Sequence, residues 1–363
     1  MKNRKTTKNR MKTLSIAVTL LFLVSVFLNG CGKGQTKFSS AAPGQTDVPK
    51  TADAAKEPQN STPMGDGYSI TFVLNNRDEF TNTLADGMQA KANELKVELS
   101  MQDAANDTGK LIQFVETAKN AGEDAVVVFP IDSETIPTII EAAGDMPVVF
   151  VNRAPDDLGY LTGKSAYVGS EEWEAGYFQG EYLTEYFKER DIDVVKPIML
   201  LGPIGAENTT KRTESVKQAM IDGGLTVEVV VELGCQWDRE TAITKISPLL
   251  NTADYNCIIA NGDTMACGAV EALISANLDP AEIPIVGINA DNDARACVKS
   301  GAMKMTVFQD AAGQGSGALS VAVNMIQGKE LSDGTGYEAD TKYSNVIWVP
   351  FEPVTIDNVQ DYE

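Results

Sequence analysis

Histidine is absent from this sequence of 363 residues. Its absence excludes Ser-His-Asp and Cys-His catalysis, and it excludes zinc sites built on histidine ligands. Clusters of Lys and Arg are also absent after residue 31, and the formal net charge of the chain is −21. Because so acidic a chain repels phosphate backbones, we expect no nucleic-acid partner.

Positive charge is concentrated at the start of the chain, where residues 1–12 contain six Lys or Arg and no acid. Residues 13–27 are almost wholly apolar, and they are fewer than the ~20 that a membrane-spanning helix needs. This order is typical of a secretory signal. The Leu-Asn-Gly-Cys sequence that follows at 28–31 resembles a bacterial lipobox, which implies cleavage before Cys31 and lipidation of its thiol.

We therefore predict a lipoprotein signal peptide at residues 1–30 and an extracytoplasmic protein attached to the membrane through Cys31. An ordinary signal, or an anchor helix with a chance cysteine, is the alternative. Loss of the six positive charges changes the net charge from −21 to −27, which we interpret as an aid to solubility. Residues 31–66 are predicted to form the lipidated Cys and a flexible tether, because residues 33–66 are rich in small and polar types.

Globular sequence begins near Gly67, and the 297 residues that follow are enough for two domains. Strands are predicted at 68–75, 97–102, 125–129, 147–152, 166–169, 198–202, 226–233, 257–261, 283–289, 303–309 and 346–350. Helices are predicted at 79–95, 108–121, 134–143, 209–222, 239–250, 264–276, 291–299 and 312–326. Val- and Ile-rich strands that alternate with amphipathic helices predict an α/β fold with two doubly wound parallel-sheet lobes.

Four cysteines follow the lipobox, and none has the spacing of a metal site. Cys235, Cys257, Cys267 and Cys297 allow three disulfide pairings, but buried free thiols are the favoured interpretation. Ligands of parallel sheets bind at the carboxyl ends of the strands. Polar residues follow many of these ends and are therefore candidates, although each alone could be a turn residue or a helix cap. They lie at 75–80, 152–153, 202–212, 261–263, 289 and 309–310.

Three segments carry a family resemblance: ANGDTMACGAVEAL at 260–273, VKSGA at 298–302 and TVFQD at 306–310. From residue 67 onward the chain resembles type I periplasmic solute-binding proteins for sugars, mainly the glucose/galactose-binding branch with ribose-binding features. The resemblance implies two lobes joined by a three-crossover hinge near 169–171, 309–311 and 345–349. The expected lobes are residues 67–170 plus 311–346 and residues 171–310 plus 347–363.

The resemblance also implies a ligand site in the cleft between the lobes. Sugars offer apolar C–H faces to aromatic rings and a fringe of hydroxyls to planar polar groups. Phe80 and Trp237 match the two stacking aromatics, Asp78 matches a hydroxyl-binding aspartate, and Arg212 matches a clamping arginine. The other expected ligand-binding residues are Asn152, Arg153, Asn208, Asn289 and Gln309.

Several positions depart from the glucose branch. Ala206 and Asn208 replace its His and Asp, Asn289 replaces an aspartate, and the calcium loop is missing, so we expect no metal. Two arginines with fewer acids favour an anionic sugar derivative as an alternative to a neutral sugar bound through amides. Trp173 could line the cleft or cover the hinge.

These features predict an ABC-importer lipoprotein that binds a monosaccharide or related small carbohydrate and delivers it to the permease subunits. We expect a monomer without cofactor or enzymatic activity. A receptor that presents the sugar to a kinase or chemoreceptor is the alternative. Glycoside hydrolysis would need a pair of carboxylates in the cleft, and nothing in the sequence singles out such a pair.

Overall fold

A computed structural model of the chain describes residues 67–362. The predicted signal peptide, Cys31 and the predicted tether lie outside these residues. Within the described part of the chain, no helix is both long and apolar enough to cross a membrane.

Strands and helices alternate through the described residues, as the apolar pattern predicts. The strands are β1 (Ser69–Leu74), β2 (Glu98–Asp103), β3 (Ala125–Val128), β4 (Val148–Val151), β5 (Ser165–Gly169), β6 (Val194–Val195), β7 (Pro197–Leu201), β8 (Thr226–Val227), β9 (Val231–Gly234), β10 (Cys257–Ala260), β11 (Ile285–Val286), β12 (Met305–Gln309), β13 (Val346–Trp348) and β14 (Phe351–Thr355). The helices are α1 (Glu79–Leu95), α2 (Thr108–Ala121), α3 (Ile136–Ala143), α4 (Glu172–Lys188), α5 (Glu207–Asp222), α6 (Arg239–Ile246), α7 (Asp263–Ser275), α8 (Asn292–Ser300) and α9 (Ala311–Gln327).

The strands of residues 67–362 form two six-stranded sheets and a short pair, β6 with β8. The first sheet has the order β13-β5-β4-β3-β1-β2 and is parallel throughout. The second has the order β14-β12-β11-β10-β7-β9, and β14 is its antiparallel edge strand. The predicted α/β fold with two parallel-sheet lobes is confirmed, except that the antiparallel strand was not predicted.

Each sheet is covered by helices on both faces because successive side chains of a strand point to opposite sides. In β1, Phe72 packs with α1 and α9, whereas Val73 packs with α2 and α3. The second sheet packs against α6, α7 and α8 on one face and against α4 and α5 on the other. We call the first sheet with its helices the N-terminal lobe and the second sheet with its helices the C-terminal lobe.

The chain passes between the two sheets after β5, after β12 and after β13. Ile347 and Trp348 pair with Val168 and Gly169 in the first sheet. The expected lobe boundary after residue 346 is therefore two residues too early, because these ladder bonds continue the first sheet to Trp348.

Helix α4 was not predicted from the sequence. Its buried side carries Gly176 and Gly180, which weaken the apolar signal. Both glycines allow close approach to α5, since a Cβ at Gly176 would lie 2.2 Å from the carbonyl oxygen of Arg212.

Three other predicted elements are shorter or divided in the structure. The predicted strand at 226–233 is β8 plus β9, the predicted helix at 239–250 ends at Ile246, and the predicted strand at 283–289 is regular only in β11.

Candidate functional site

A cavity of about 190 Å³ lies between the two lobes. It is lined by the first turn of α1, by residues 289–292 and 295 after β11, and by the crossover from β12 to α9. Phe80, Asn289 and Gln309 line it, so three predicted ligand residues are brought together here. Its volume is below the 300–1,000 Å³ of drug-sized pockets, and it therefore suits a small solute.

Arg212 lies beside this cavity and is fixed by three groups of the C-terminal lobe. Its Nε donates to Glu172 Oε2 at 2.5 Å, and its Nη1 donates to the Asn261 carbonyl oxygen at 2.8 Å. Its Nη2 donates to Gln309 Oε1 at 3.2 Å. Burial raises the pKa of Glu172, and the charge and hydrogen bond of Arg212 oppose this rise. The guanidinium thus has a carboxylate partner inside the protein, and it orients Gln309 toward the cavity.

Trp237 lies next to Arg212 but does not line the cavity. The Arg212 Cζ atom is 5.9 Å from the centre of the Trp237 ring and 5.8 Å from that of Phe351, within the range of cation–π attraction. Gly202 accommodates the indole, since a Cβ at this position would come within 2.2 Å of Trp237 Cζ2. Only Phe80 of the two predicted stacking aromatics therefore reaches this cavity.

Arg153, the second predicted arginine, is held by the N-terminal lobe. Its Nη1 donates to the Pro130 carbonyl oxygen at 3.0 Å. Burial lowers its pKa, and the negative charges of Asp132, Glu172 and Glu207 act in the opposite direction. Both predicted arginines therefore lie in the field of the protein's own carboxylates.

Asn152 takes part in a buried hydrogen-bond chain between the crossovers. Its Nδ2 donates to Gln314 Oε1 at 3.0 Å, and Gln314 Nε2 donates to Ser170 Oγ at 2.9 Å. The Tyr167 hydroxyl donates to the Asn152 carbonyl oxygen at 2.9 Å, at a residue with a φ of +67°. The chain links the end of β4 to the first crossover and to α9, which follows the second.

Asp78, Asn208 and Trp173 also lie outside the residues that line the cavity. Asp78 is the N-cap of α1, where it accepts from the Thr81 backbone N–H at 2.8 Å. Asn208 Oδ1 accepts from the Thr209 N–H at 2.9 Å in the first turn of α5. Trp173 is 39% exposed at the start of α4. Asp78 therefore caps a helix, which is the alternative role that the sequence left open for it.

Four acidic residues belong to this site, and the candidate segments at 75–80, 261–263 and 309–310 include all of them except Asp291. Glu79 and Asp291 line the cavity from opposite lobes, and Asn292 Nδ2 donates to Glu79 Oε1 across the cleft at 3.1 Å. Asp263, fully buried beneath them, accepts from the Asp291 N–H at 3.0 Å and from Thr306 Oγ1 at 2.8 Å. Its position shortly after a predicted strand could have signalled Asp291 as well, but the sequence carried no sign that these acids are buried.

This burial changes the protonation of the acids. Burial is the main cause that raises the pKa of Asp263 to about 6. Burial also raises the pKa of Asp291 to about 8, and the charges of Asp263, Glu79 and Asp78 add to this effect. Both carboxyls therefore gain or lose their proton near neutral pH.

Gln309 has an unused donor at the cavity. Its side chain is 4% exposed, its Oε1 is engaged by Arg212, and its Nε2 has no hydrogen-bond partner among residues 67–362. Buried polar groups are normally satisfied, so this donor is an exception at a residue that lines the cavity.

The four cysteines between residues 67 and 362 are free thiols, in agreement with the favoured interpretation. Cys235, Cys257 and Cys267 are buried, and Cys297 is half-buried. The same described residues contain no group of three or more acidic or cysteine side chains arranged to hold a metal ion.

Two α/β lobes with three crossing connections and a cavity between them are the architecture of a binding protein that encloses a small solute. The chain belongs to the family of the periplasmic binding protein domain, which matches residues 70–330. The family and fold predicted from the sequence are thereby confirmed.

Two curated relatives extend the comparison. The putative rhizopine-binding protein of Rhizobium meliloti is 29% identical over 291 residues, which cover 79% of this chain and 89% of that protein. The D-galactose/methyl-galactoside binding periplasmic protein of Haemophilus influenzae is 28% identical over 279 residues, with coverage of 73% and 82%. Both relatives are binding proteins.

A solved structure of a solute-binding protein is also similar to this chain. The crystal structure of an ABC transporter solute binding protein from Bacillus halodurans, with bound myo-inositol, has a TM-score of 0.71 and 28% identity. The match covers 83% of this chain and 99% of that chain.

Proposed function

We propose that this protein binds a small carbohydrate or cyclic polyol in the cavity between its lobes and delivers it to the permease of an ABC importer. One observation carries the proposal. Phe80 and Gln309 both line the cavity between the lobes, and the buried Nε2 donor of Gln309 has no hydrogen-bond partner among residues 67–362. Relatives named for rhizopine and for galactose, and a related structure with bound myo-inositol, support a polyol as the ligand.

The lining groups have complementary tasks in binding. Phe80 offers its ring to an apolar C–H face of the ligand. Gln309 Nε2 donates to a hydroxyl oxygen, and the Asn289 amide can serve as donor and acceptor. Arg212 is a positioning residue, because it holds Gln309 Oε1 and thereby turns Nε2 toward the ligand.

Binding is coupled to closure because the cavity has walls from both lobes. A ligand that contacts Phe80 on α1 and Asn289 after β11 stabilises the closed arrangement over the open one. The direct hydrogen bond from Asn292 to Glu79 adds a contact that the open arrangement would lose. No chemical step is needed, and the absence of histidine together with the binding function of the relatives supports a receptor without enzymatic activity.

We further propose that the receptor is a monomer that lies outside the cytoplasm and is anchored through lipidated Cys31. The order of basic, apolar and lipobox segments at the start of the chain supports the location and the anchor. Mass spectrometry of the membrane fraction should find an acylated N-terminal Cys31. A Cys31→Ser variant should lose the acyl group and leave the membrane.

Isothermal titration of the purified full chain with monosaccharides and cyclic polyols tests the binding function. We expect saturable binding of at least one compound, and a Phe80→Ala variant should bind it at least about tenfold more weakly because the stacking face is lost. Tyr160→Ala is the control, since Tyr160 is 57% exposed and does not line the cavity. No saturable binding, or equal binding by Phe80→Ala, would contradict the proposal.

A further inference from the structure

Two of the free thiols between residues 67 and 362 are neighbours in the C-terminal lobe. Cys267 lies on α7 and Cys297 lies on α8, and the two helices pack together over one face of the second sheet. The two sulfurs share a hydrogen bond. Residues 267 and 297 are far apart in the sequence, so the fold alone brings these thiols into contact.

The other two cysteines of this region are placed differently. The Cys235 thiol donates to the Leu233 carbonyl oxygen at 3.2 Å. Cys257 lies in β10 and packs with α4 and α5, on the opposite face of the second sheet from α7 and α8. Because a disulfide requires the two Cβ atoms to be adjacent, the structure favours Cys267 with Cys297 over the other pairings that the sequence allows.

Cys297 is the more accessible and the more reactive of the two thiols. Its side chain is half-buried on α8, whereas Cys267 is buried. The hydrogen bond from Cys267 is the main cause that lowers the pKa of Cys297, and burial acts in the opposite direction. Since the thiolate is the nucleophile, Cys297 is suited to attack an external disulfide, and the buried Cys267 is placed to resolve the intermediate.

We propose that Cys267 and Cys297 form a disulfide that joins α7 to α8 once the protein has left the cytoplasm. Compartments outside the cytoplasm maintain disulfides, and the signal-like start of the chain supports that location. The inference goes beyond the proposed function, because it concerns the covalent state of the C-terminal lobe and not the ligand.

The oxidant is an external disulfide, carried by a protein or by a small molecule. The Cys297 thiolate attacks one of its sulfurs, the external S–S bond breaks, and the first thiolate leaves. Cys267 then loses its proton and attacks Cys297 Sγ, which releases the second thiolate. The two protons from the protein thiols end on the two released thiols. The external disulfide thus accepts the two electrons that the cysteines lose.

The cross-link should stabilise the C-terminal lobe. It closes a loop that includes β11 and the cavity-lining residues 289–292. A closed loop reduces the conformational freedom of the unfolded chain and thereby raises the melting temperature. Cys267 and Cys297 themselves do not line the cavity, so the bond stabilises the lobe from outside the ligand site.

Peptide mapping tests whether the bond forms. The purified full chain is equilibrated with oxidised glutathione, its remaining free thiols are alkylated, and it is digested with trypsin. Cys297 is released on the peptide 296–299, and Cys257 and Cys267 are released together on the peptide 246–295, because no Lys or Arg lies between them and its ends. We expect mass spectrometry to find these two peptides linked. A Cys257→Ala variant should give the same linkage, which assigns the bond to Cys267.

Thermal unfolding measures the effect of the bond. The oxidised protein should melt about 2–8 °C higher than the same protein in the presence of a reductant. Cys297→Ala should remove this difference. Cys257→Ala is the matched control and should keep it, because Cys257 is a buried cysteine of the same lobe on the other face of the sheet. Each variant is compared with its own reduced form, so a change in its intrinsic stability does not affect the result.

The outcomes decide the proposal. Alkylation of both Cys267 and Cys297 after equilibration overturns it, and so does glutathione that remains attached to Cys297. An unchanged melting difference in Cys297→Ala, or loss of the linked peptides in Cys257→Ala, also overturns it. Sugar and polyol binding is measured separately by titration, so each of these results leaves the proposed function standing.

Discussion

Arg212 Nε donates to Glu172 Oε2 at 2.5 Å, and both side chains are 4% exposed. The pair lies at the junction of α4 and α5, and the same guanidinium reaches Gln309 at the cavity. A buried charge pair thus fixes the orientation of an amide that faces the ligand.

Removal of one partner should be strongly destabilising. Glu172→Gln leaves the buried guanidinium without its counter-charge and should lower the free energy of unfolding by about 3 kcal/mol or more. Urea denaturation measures this change. Glu232→Gln is the control, because its ion pair with Lys217 is partly exposed and should contribute less than about 1 kcal/mol. Equal effects of the two substitutions would contradict the prediction.

The contact between α4 and α5 should not tolerate a methyl group. Gly176→Ala places a Cβ 2.2 Å from both the Arg212 carbonyl oxygen and Ser215 Oγ. We expect a loss of about 1–3 kcal/mol in the free energy of unfolding, as for other overpacked contacts. Gly163→Ala is the matched control, since nothing lies within 4 Å of its added Cβ. A midpoint of urea denaturation equal to that of the control would refute this account.

Protein stability should fall as pH rises across the neutral range. The folded state raises the pKa of Asp263 from 3.8 to about 6 and that of Asp291 from 3.8 to about 8. The folded protein therefore holds these protons to higher pH than the unfolded chain does. Their stabilising contribution is complete below about pH 4 and is lost as pH rises through about 6 and then about 8.

Burial is the main cause of the raised pKa of Asp291. The carboxyls of Asp263 in α7, Glu79 in α1 and Asp78 at the N-cap of α1 raise it further, and the hydrogen bond with Asn289 lowers it. Arg295 of α8 lines the same cavity. In the absence of ligand, the free energy of unfolding should fall by at least about 1 kcal/mol between about pH 5 and about pH 9. Asp291→Asn should flatten the upper part of this dependence, whereas Asp293→Asn should not. The same slope in Asp291→Asn and the unmodified protein would count against the assignment.

Local sequence predicted most of the strands and helices because their signals are local. Residues 125–128 form a continuous Val-rich strand, buried on both faces as such a run predicts. Helix α2 begins after an Asp107 cap and ends at Gly122 in the left-handed conformation. Helix α4 was missed because its buried side is made partly of Gly176 and Gly180, whose role is visible only against α5.

The candidate site was predicted in part. The family resemblance pointed to Phe80, Asn289 and Gln309, which meet at one cavity, and to Arg212 and Trp237, which are neighbours. It did not indicate that Arg212 is neutralised by Glu172. The alternative of an anionic ligand rests on Arg153 and Arg212, and the structure pairs Arg212 with Glu172.

The sequence alone determined the class of fold, because alternating apolar strands and amphipathic helices can bury their surfaces only in layered sheets. It also excluded chemistry based on histidine. Tertiary structure decided the partners of Arg212, which bonds to groups that are 40, 49 and 97 residues away in the chain. Burial and spatial proximity set these pairings, and neither can be predicted from the order of the residues alone.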